Sequence, residues 1–281
     1  MESVRVKAYA KINLTLFITG TENGYHNLDS LVASVNLYDA ITLKKRKDKQ
    51  VFVTMHGLGS ETIPFEVNNA AKAAQLFIDQ FGTNGADITI YKNIPMGAGL
   101  GGSSADAAGV LNGLAKLYKI NDLASLKLIA DRTGSDTRYM ISGGWARLFG
   151  RGDIVKGIES KLKLHLLLLV PDEEVSTAQC YSAFDKLGRV GGNSDRAERA
   201  TAENDIYSFA AELSNSLTPA AISLSGEIET AIRQLKEFSP LAVNMTGSGS
   251  GVYALFENKE MCQYAKSRYR GRAKSYILEV K

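Results

Sequence analysis

The sequence predicts an α+β protein of two domains, residues 1–155 and 156–281. Three observations predict it. The first half opens as a run of antiparallel strands. A glycine- and serine-rich loop near residue 100 then leads into a helical stretch. The second half follows the order β-α-β-β-α-β with extra helices in its first connection, a ferredoxin-like two-layer pattern. At 281 residues the chain is long enough to bury two cores.

Residues Val4–Ala8 and Ile12–Thr19 alternate or run apolar, as strands do. Gly24-Tyr25-His26 falls in a turn rich in Thr, Glu, Asn and Gly. Leu31–Leu37 and Ile41–Lys44 continue the strand pattern. A basic run from Lys44 to Lys49 reads as a solvated turn, with a nucleic-acid patch as the competing reading. Val51–Met55 is the next strand. The spacing of Ala71, Ala74 and Ile78 predicts a helix over 68–81. Ile88–Tyr91 reads as a short strand, Ala105–Tyr118 as an Ala- and Leu-rich helix, and Leu123–Arg132 as another. Gly143-Gly144 turns the chain into strand Ala146–Phe149, and Gly150–Asp153 closes the first domain. The second half gives strand Leu164–Val170 and helices at Thr177–Leu187, Asn204–Leu213 and Ile222–Lys236. Strands Ala242–Thr246 and Val252–Phe256 are joined by a second glycine-serine loop. Helix Lys259–Arg268 and strand Ala273–Val280 complete the chain.

Composition narrows the function classes. The chain is 44% hydrophobic and 22% charged, as soluble globular proteins are. The net charge of +3 mildly favours an anionic ligand and does not call for nucleic acid. Cys180 and Cys262 lie far apart and form neither a disulfide framework nor a metal knuckle. They read as reduced thiols of a cytoplasmic protein. The first five residues show no signal-peptide pattern. The longest apolar run, Leu164–Val170, is interrupted by His165 and is too short to span a bilayer.

The segment from Pro95 to Asp106 carries the chemistry. It reads Pro95-Met96-Gly97-Ala98-Gly99-Leu100-Gly101-Gly102-Ser103-Ser104 and then enters a helix. Glycines let backbone approach a ligand closely. A helix N-terminus offers unpaired N–H groups and partial positive charge. Together they suit phosphates. Ser103 and Ser104 could add hydrogen bonds or help hold Mg²⁺. No Gly-Lys-Ser/Thr follows, so this is not a Walker A loop. Gly97, Gly99 and Gly102 match G-x-G-x-x-G. A dinucleotide fold would also need an apolar strand running straight into the first glycine and an acid ending a second strand. Lys92-Asn93-Ile94-Pro95 intervenes, and Asp122, at about the right spacing, begins a helix.

Two further segments complete a set: Ala10-Lys11-Ile12-Asn13-Leu14 with Gly24-Tyr25-His26, and Thr246-Gly247-Ser248-Gly249-Ser250-Gly251. With Gly134-Ser135-Asp136, Val175-Ser176-Thr177-Ala178, Tyr181 and Asn204-Asp205, they run in an order that resembles the GHMP kinase superfamily. Within it, the closer resemblance is to the branch acting on a cytidine-diphosphate-linked methylerythritol in non-mevalonate isoprenoid synthesis. The resemblance implies the GHMP kinase two-domain fold. Its N-terminal domain is ribosomal protein S5 domain 2-like and binds ATP. Its C-terminal domain is ferredoxin-like and binds substrate, with the site in the cleft between the two. It implies ATP and Mg²⁺, a small-molecule partner, no nucleic acid, no membrane, and a monomer or weak homodimer.

Residue by residue, the resemblance implies that Asp136 accepts the proton of the attacking hydroxyl. Lys11 orients that hydroxyl and stabilises charge. Tyr25, His26 and Tyr181 match positions holding the cytosine. Asn13 would bond the substrate, and Thr246, Gly247, Ser248 and Gly249 would close on it. Asn68 matches a position near the adenine. Without the resemblance, Asp136 reads as a helix-capping acid and Tyr181 as helix packing. Metal ligands are not singled out. Two departures stand out. Thr137-Arg138 replaces the Val-Pro that usually follows the aspartate, and Ser103 replaces a glycine. Arg138 could lower the carboxylate's pKa or touch a phosphate. A kinase for another small alcohol and a non-catalytic nucleotide-binding protein remain alternatives.

Overall fold

A computed structural model describes residues 2–59, 68–188 and 190–281. Along the chain run β1 (Ser3–Asn13), β2 (Thr15–Glu22), β3 (Tyr25–Lys45), β4 (Val51–Gly57), α1 (Asn69–Phe81), β5 (Ala86–Lys92), α2 (Gly102–Tyr118), α3 (Leu123–Asp131) and α4 (Thr137–Ser142). There follow β6 (Trp145–Gly150), β7 (Ile154–Gly157), β8 (His165–Val170), α5 (Thr177–Leu187), α6 (Asp195–Glu203), α7 (Ile206–Ala211) and β9 (Ser214–Asn215). The chain ends with α8 (Thr218–Leu224), α9 (Gly226–Lys236), β10 (Ala242–Met245), β11 (Val252–Phe256), α10 (Lys259–Arg268) and β12 (Lys274–Glu279).

The chain forms two compact units, each discontinuous in sequence, whereas 1–155 and 156–281 are continuous stretches. One unit comprises Met1–Ala10, Leu37–Pro95 and Gly101–Gly143. The other comprises Lys11–Asn36, Met96–Leu100 and Gly144–Lys281. In the first, β5 pairs in parallel with β4 and antiparallel with Ala40–Lys45 of β3. Ile41, Leu43, Ile88 and Ile90 on these strands and Ala74, Phe77, Val110 and Leu114 on α1 and α2 are all buried. Asn68 caps α1 and Asp122 caps α3 through their side chains. The start of α2 follows Gly101 in left-handed backbone and has no side-chain cap.

In the second unit, the first half of β3 pairs antiparallel with β2 and β6, and β2 runs parallel to β9. A separate four-stranded antiparallel sheet has the order β10-β11-β8-β12. That is the ferredoxin-like order: the first strand sits centrally between the third and the last. Leu167 and Leu169 on β8, Ala254 on β11, Phe184 on α5 and Leu235 on α9 fill one core beneath it. Arg147 on β6 is held by Asp29 of β3 and by Asp195 and Glu198 of α6.

Several expectations change. Tyr25 and His26 begin a strand rather than lie in a turn, because the turn is completed by Asn23 and Gly24, both at positive φ. Strands expected at 31–37 and 41–44 are one 21-residue strand. The helix expected over 222–236 breaks at Ser225, whose extended backbone ends α8 and starts α9. The helix expected at 204–213 shrinks to α7, since Asn204 is left-handed and Asp205 caps. Helices α4 and α6 and strands β7 and β9 add to the predicted set.

Candidate active site

In the second unit, the two glycine-rich loops interlock through hydrogen bonds. Ser250 N donates to Gly97 O at 2.9 Å, and the Thr246 hydroxyl donates to Gly99 O at 3.1 Å. Gly99, at φ +69°, lies so close that a β-carbon would fall 2.0 Å from the Thr246 carbonyl oxygen. Only glycine fits there. Lys11 N donates to Leu100 O at 3.0 Å, tying β1 to the same loop.

Asn13 sits at the centre of this assembly. Its Oδ1 accepts from Lys11 Nζ at 2.5 Å and from Gly247 N at 3.0 Å. Its Nδ2 donates to Ser30 Oγ at 2.8 Å. Its N donates to Thr246 Oγ1, and its O accepts from the buried Tyr253 hydroxyl. The buried Asn13 side chain therefore orients Lys11 and the second loop. From β9, Asn215 Nδ2 donates to Met245 O and Gly247 O, both at 2.9 Å. Ser248 Oγ pairs with Thr177 Oγ1 at the start of α5.

Around His26 the same unit gathers aromatic groups. The His26 and Tyr181 rings lie 4.8 Å apart, tilted by 36°. His26 Nε2 is 2.6 Å from Asp185 Oδ1. Tyr25 is 56% exposed, with the Arg151 guanidinium 4.5 Å above its ring. Exposed aromatic surface of this kind suits stacking against a flat ligand.

In the first unit, the remainder of the phosphate loop runs into α2. Both of its ends are fixed by one buried cluster. Lys92 Nζ bonds Asp39 Oδ2 and Asp106 Oδ2. Asp39 Oδ1 also accepts from the N–H groups of Asn93 and Ile94. Pro95 follows this anchored pair, and Asp106 belongs to the second turn of α2. Burial pushes the Asp106 carboxyl up to about 8, the Lys92 ammonium pulling against it and the Asp39 carboxylate adding to it. Burial also works against the Lys92 charge, but the two carboxylates outweigh it and hold Lys92 above its usual value.

Asn68 accepts from Ala70 N and Ala71 N through Oδ1, and its Nδ2 faces Met55 Sδ. It is 6% exposed and committed to starting α1. The next residue, Asn69, donates to Ser103 Oγ at 2.9 Å. Asp136 stands at the N-cap position of α4, yet its side chain makes no capping bond to that helix. Arg138 pairs with Asp131. Thr137 Oγ1 is buried and meets no hydrogen-bond partner among the described residues. It and Ser104 Oγ each lie 3.0 Å from where a β-carbon on Gly134 would project.

Residues 68–146 match the GHMP kinases N terminal domain and residues 197–264 the GHMP kinases C terminal domain. A 4-diphosphocytidyl-2-C-methyl-D-erythritol kinase of Caldicellulosiruptor saccharolyticus is 36% identical over 98% of this chain and 94% of its own. The chain belongs to the 4-diphosphocytidyl-2-C-methyl-D-erythritol kinase family of GHMP kinases.

A second member of that family, from Desulfitobacterium hafniense, is also 36% identical, over 96% of this chain and 92% of its own. A crystal structure described as 4-(cytidine 5'-diphospho)-2C-methyl-D-erythritol kinase superposes with a TM-score of 0.82 at 27% identity, covering 99% of each chain. The GHMP kinase fold expected from the motifs is thus the observed one. The motifs brought out the loops and Lys11. They missed Lys92, Asp39, Asp106, Asn69 and Asn215. These lie outside the glycine runs, and only long-range pairing gives them meaning. Lys92, a lysine at the end of β5 just before Asn93-Ile94-Pro95, is the one available signal.

Proposed function

We propose that this protein transfers the γ-phosphoryl group of ATP to the 2-hydroxyl of 4-diphosphocytidyl-2-C-methyl-D-erythritol, a step of non-mevalonate isoprenoid synthesis. One observation carries the phosphoryl-transfer reading. Among the described residues, the loop carrying Gly97, Gly99, Gly101 and Gly102 leads into a 17-residue helix whose first turn no side chain caps. Its N–H groups suit phosphate oxygens. The names borne by the 36%-identical relatives support the choice of substrate.

In this reading Pro95–Ser104 hold the nucleotide phosphates, and Asn68 stands on the adenine side. Asp136 takes the proton from the substrate hydroxyl as it attacks. Lys11, oriented by Asn13, holds that hydroxyl and stabilises the charge that develops. Tyr25, His26 and Tyr181 hold the cytosine. Thr246–Gly249 close on the substrate.

Among the described residues, no group of three or more His, Cys, Asp or Glu could cage a metal. Ser103 and Ser104, at the start of α2, are the hydroxyls that would help hold a Mg²⁺ brought in with the nucleotide. When bound, the ion neutralises phosphate charge. None of the described helices is long and apolar enough to cross a membrane. We assign the enzyme to the cytoplasm as a monomer or weak homodimer acting on a small molecule, without nucleic acid.

A coupled ADP-release assay with MgATP and the cytidylyl substrate tests the proposal. Turnover of about 1–100 s⁻¹ is expected. No turnover by pure, folded protein would sink it. Turnover with homoserine or mevalonate alone would redirect it to another small alcohol.

A further inference from the structure

Asp185 lies on α5 with its carboxylate 2.6 Å from His26 Nε2. The Asp185 side chain is 57% exposed, while that of His26 is 15% exposed. An ionised carboxylate only accepts hydrogen bonds, so Nε2 carries the proton. In the neutral ring, Nδ1 is then left as a lone-pair acceptor. The ring is also packed in place. Tyr181 lies against it, and Phe184 meets it edge-on with centroids 6.2 Å apart. Asp185, Tyr181 and Phe184 all come from α5, so one helix sets both the orientation of the imidazole and its tautomer.

We propose that Asp185 is a positioning residue for base selection: it holds His26 as the Nε2–H tautomer, which presents an acceptor to the base edge and favours cytosine over uracil. This rests on the reading above, in which His26 contacts the base. Cytosine carries an exocyclic amine where uracil carries a carbonyl oxygen. The amine donates to Nδ1. The carbonyl would set lone pair against lone pair and leave both acceptors without a donor. A site built to hydrogen-bond one group rejects the analogue lacking it far better than a shape-only pocket does. Without Asp185 the ring is free to adopt the Nδ1–H tautomer, which donates to the uracil oxygen.

The test compares kcat/KM for the cytidine-diphosphate-linked methylerythritol and its uridine counterpart. Wild type favours the cytidine compound. Asp185→Ala narrows that preference about tenfold, through KM, with kcat for the cytidine compound little changed; a tenfold ratio corresponds to about 1.4 kcal/mol. Asp185→Asn, whose amide can turn its N–H toward Nε2 and fix the Nδ1–H tautomer, narrows the preference as Asp185→Ala does. An unchanged ratio in Asp185→Ala would overturn the proposal. Nitrogen-15 NMR of the wild-type ring provides a second arm that needs no turnover. The Nε2–H tautomer is expected, and an Nδ1–H ring would overturn the proposal. A wild type that turns over neither compound would sink the proposed function and the selectivity built on it. Turnover with an unaltered ratio sinks the selectivity alone.

Discussion

The Thr246 hydroxyl stands between two strands' worth of function: it accepts from Asn13 N at 3.0 Å and donates to Gly99 O at 3.1 Å. One side-chain oxygen thereby links the Lys11 strand, the phosphate loop and the second glycine loop. Thr246→Val keeps the shape and removes both bonds. It should cost about 1–3 kcal/mol of stability, since it leaves buried groups unpaired. It should also lower kcat/KM at least tenfold. Gly99→Ala should be worse, because its β-carbon would strike the Thr246 carbonyl. Thermal melts and steady-state kinetics check both. Full activity in Gly99→Ala would mean that the interlock is dispensable.

Asp136→Asn should lower kcat by roughly 10²–10⁴-fold, the usual contribution of a positioned base. Calorimetry should show ATP affinity unchanged within about twofold. Wild-type turnover in this variant would remove Asp136 from its proposed role.

The buried Lys92 cluster gives a pH signature. Folded Asp106 binds its proton up to about pH 8, while an unfolded aspartate releases it near ~3.9. The folded state therefore holds the extra proton, and this contribution to stability declines as pH rises across that window. It is constant above it. Asp106→Asn can still accept from Lys92 but cannot titrate. Relative to that variant, the wild-type Tm should fall steadily from pH 5 to pH 8 and then level off. A difference independent of pH would contradict the assignment.

The two residues after Asp136 separate in their effects. Thr137 buries a hydroxyl without a partner among the described residues. Thr137→Val should stabilise the protein by about 1–2 kcal/mol, a Tm rise of roughly 2–6 °C, with activity retained. Arg138 is engaged by Asp131 at the surface, so Arg138→Ala should leave kcat within about twofold. A tenfold loss in Arg138→Ala would restore a phosphate-contact role.

Local signals reached far into this fold. The ferredoxin-like half was legible because its strands are short and apolar and are set apart by helices or by a glycine-rich turn. Leu167 and Leu169, for example, sit within an unbroken leucine run. The phosphate loop was legible because glycine density has few other causes. What stayed hidden depends on distance along the chain. Asn13 reads as a substrate ligand, and nothing local shows that Gly247, 234 positions away, bonds its side chain. That the Asn68 oxygen also starts α1 is seen only in the fold. The single strand Tyr25–Lys45 reads as two in sequence because Tyr38-Asp39-Ala40 interrupts its apolar pattern.

The two compact units share their chain in an interleaved way: residues 11–36 and 96–100 belong with the C-terminal stretch. A fragment beginning near residue 156 would lack β2, β3 and the strand bearing Lys11. Genetic recombination that swapped the second half for a relative's would thus transplant an incomplete body. Such chimaeras should survive only when the donor's Lys11 strand and phosphate loop travel with it, so these three distant stretches are expected to be inherited together as one unit of descent.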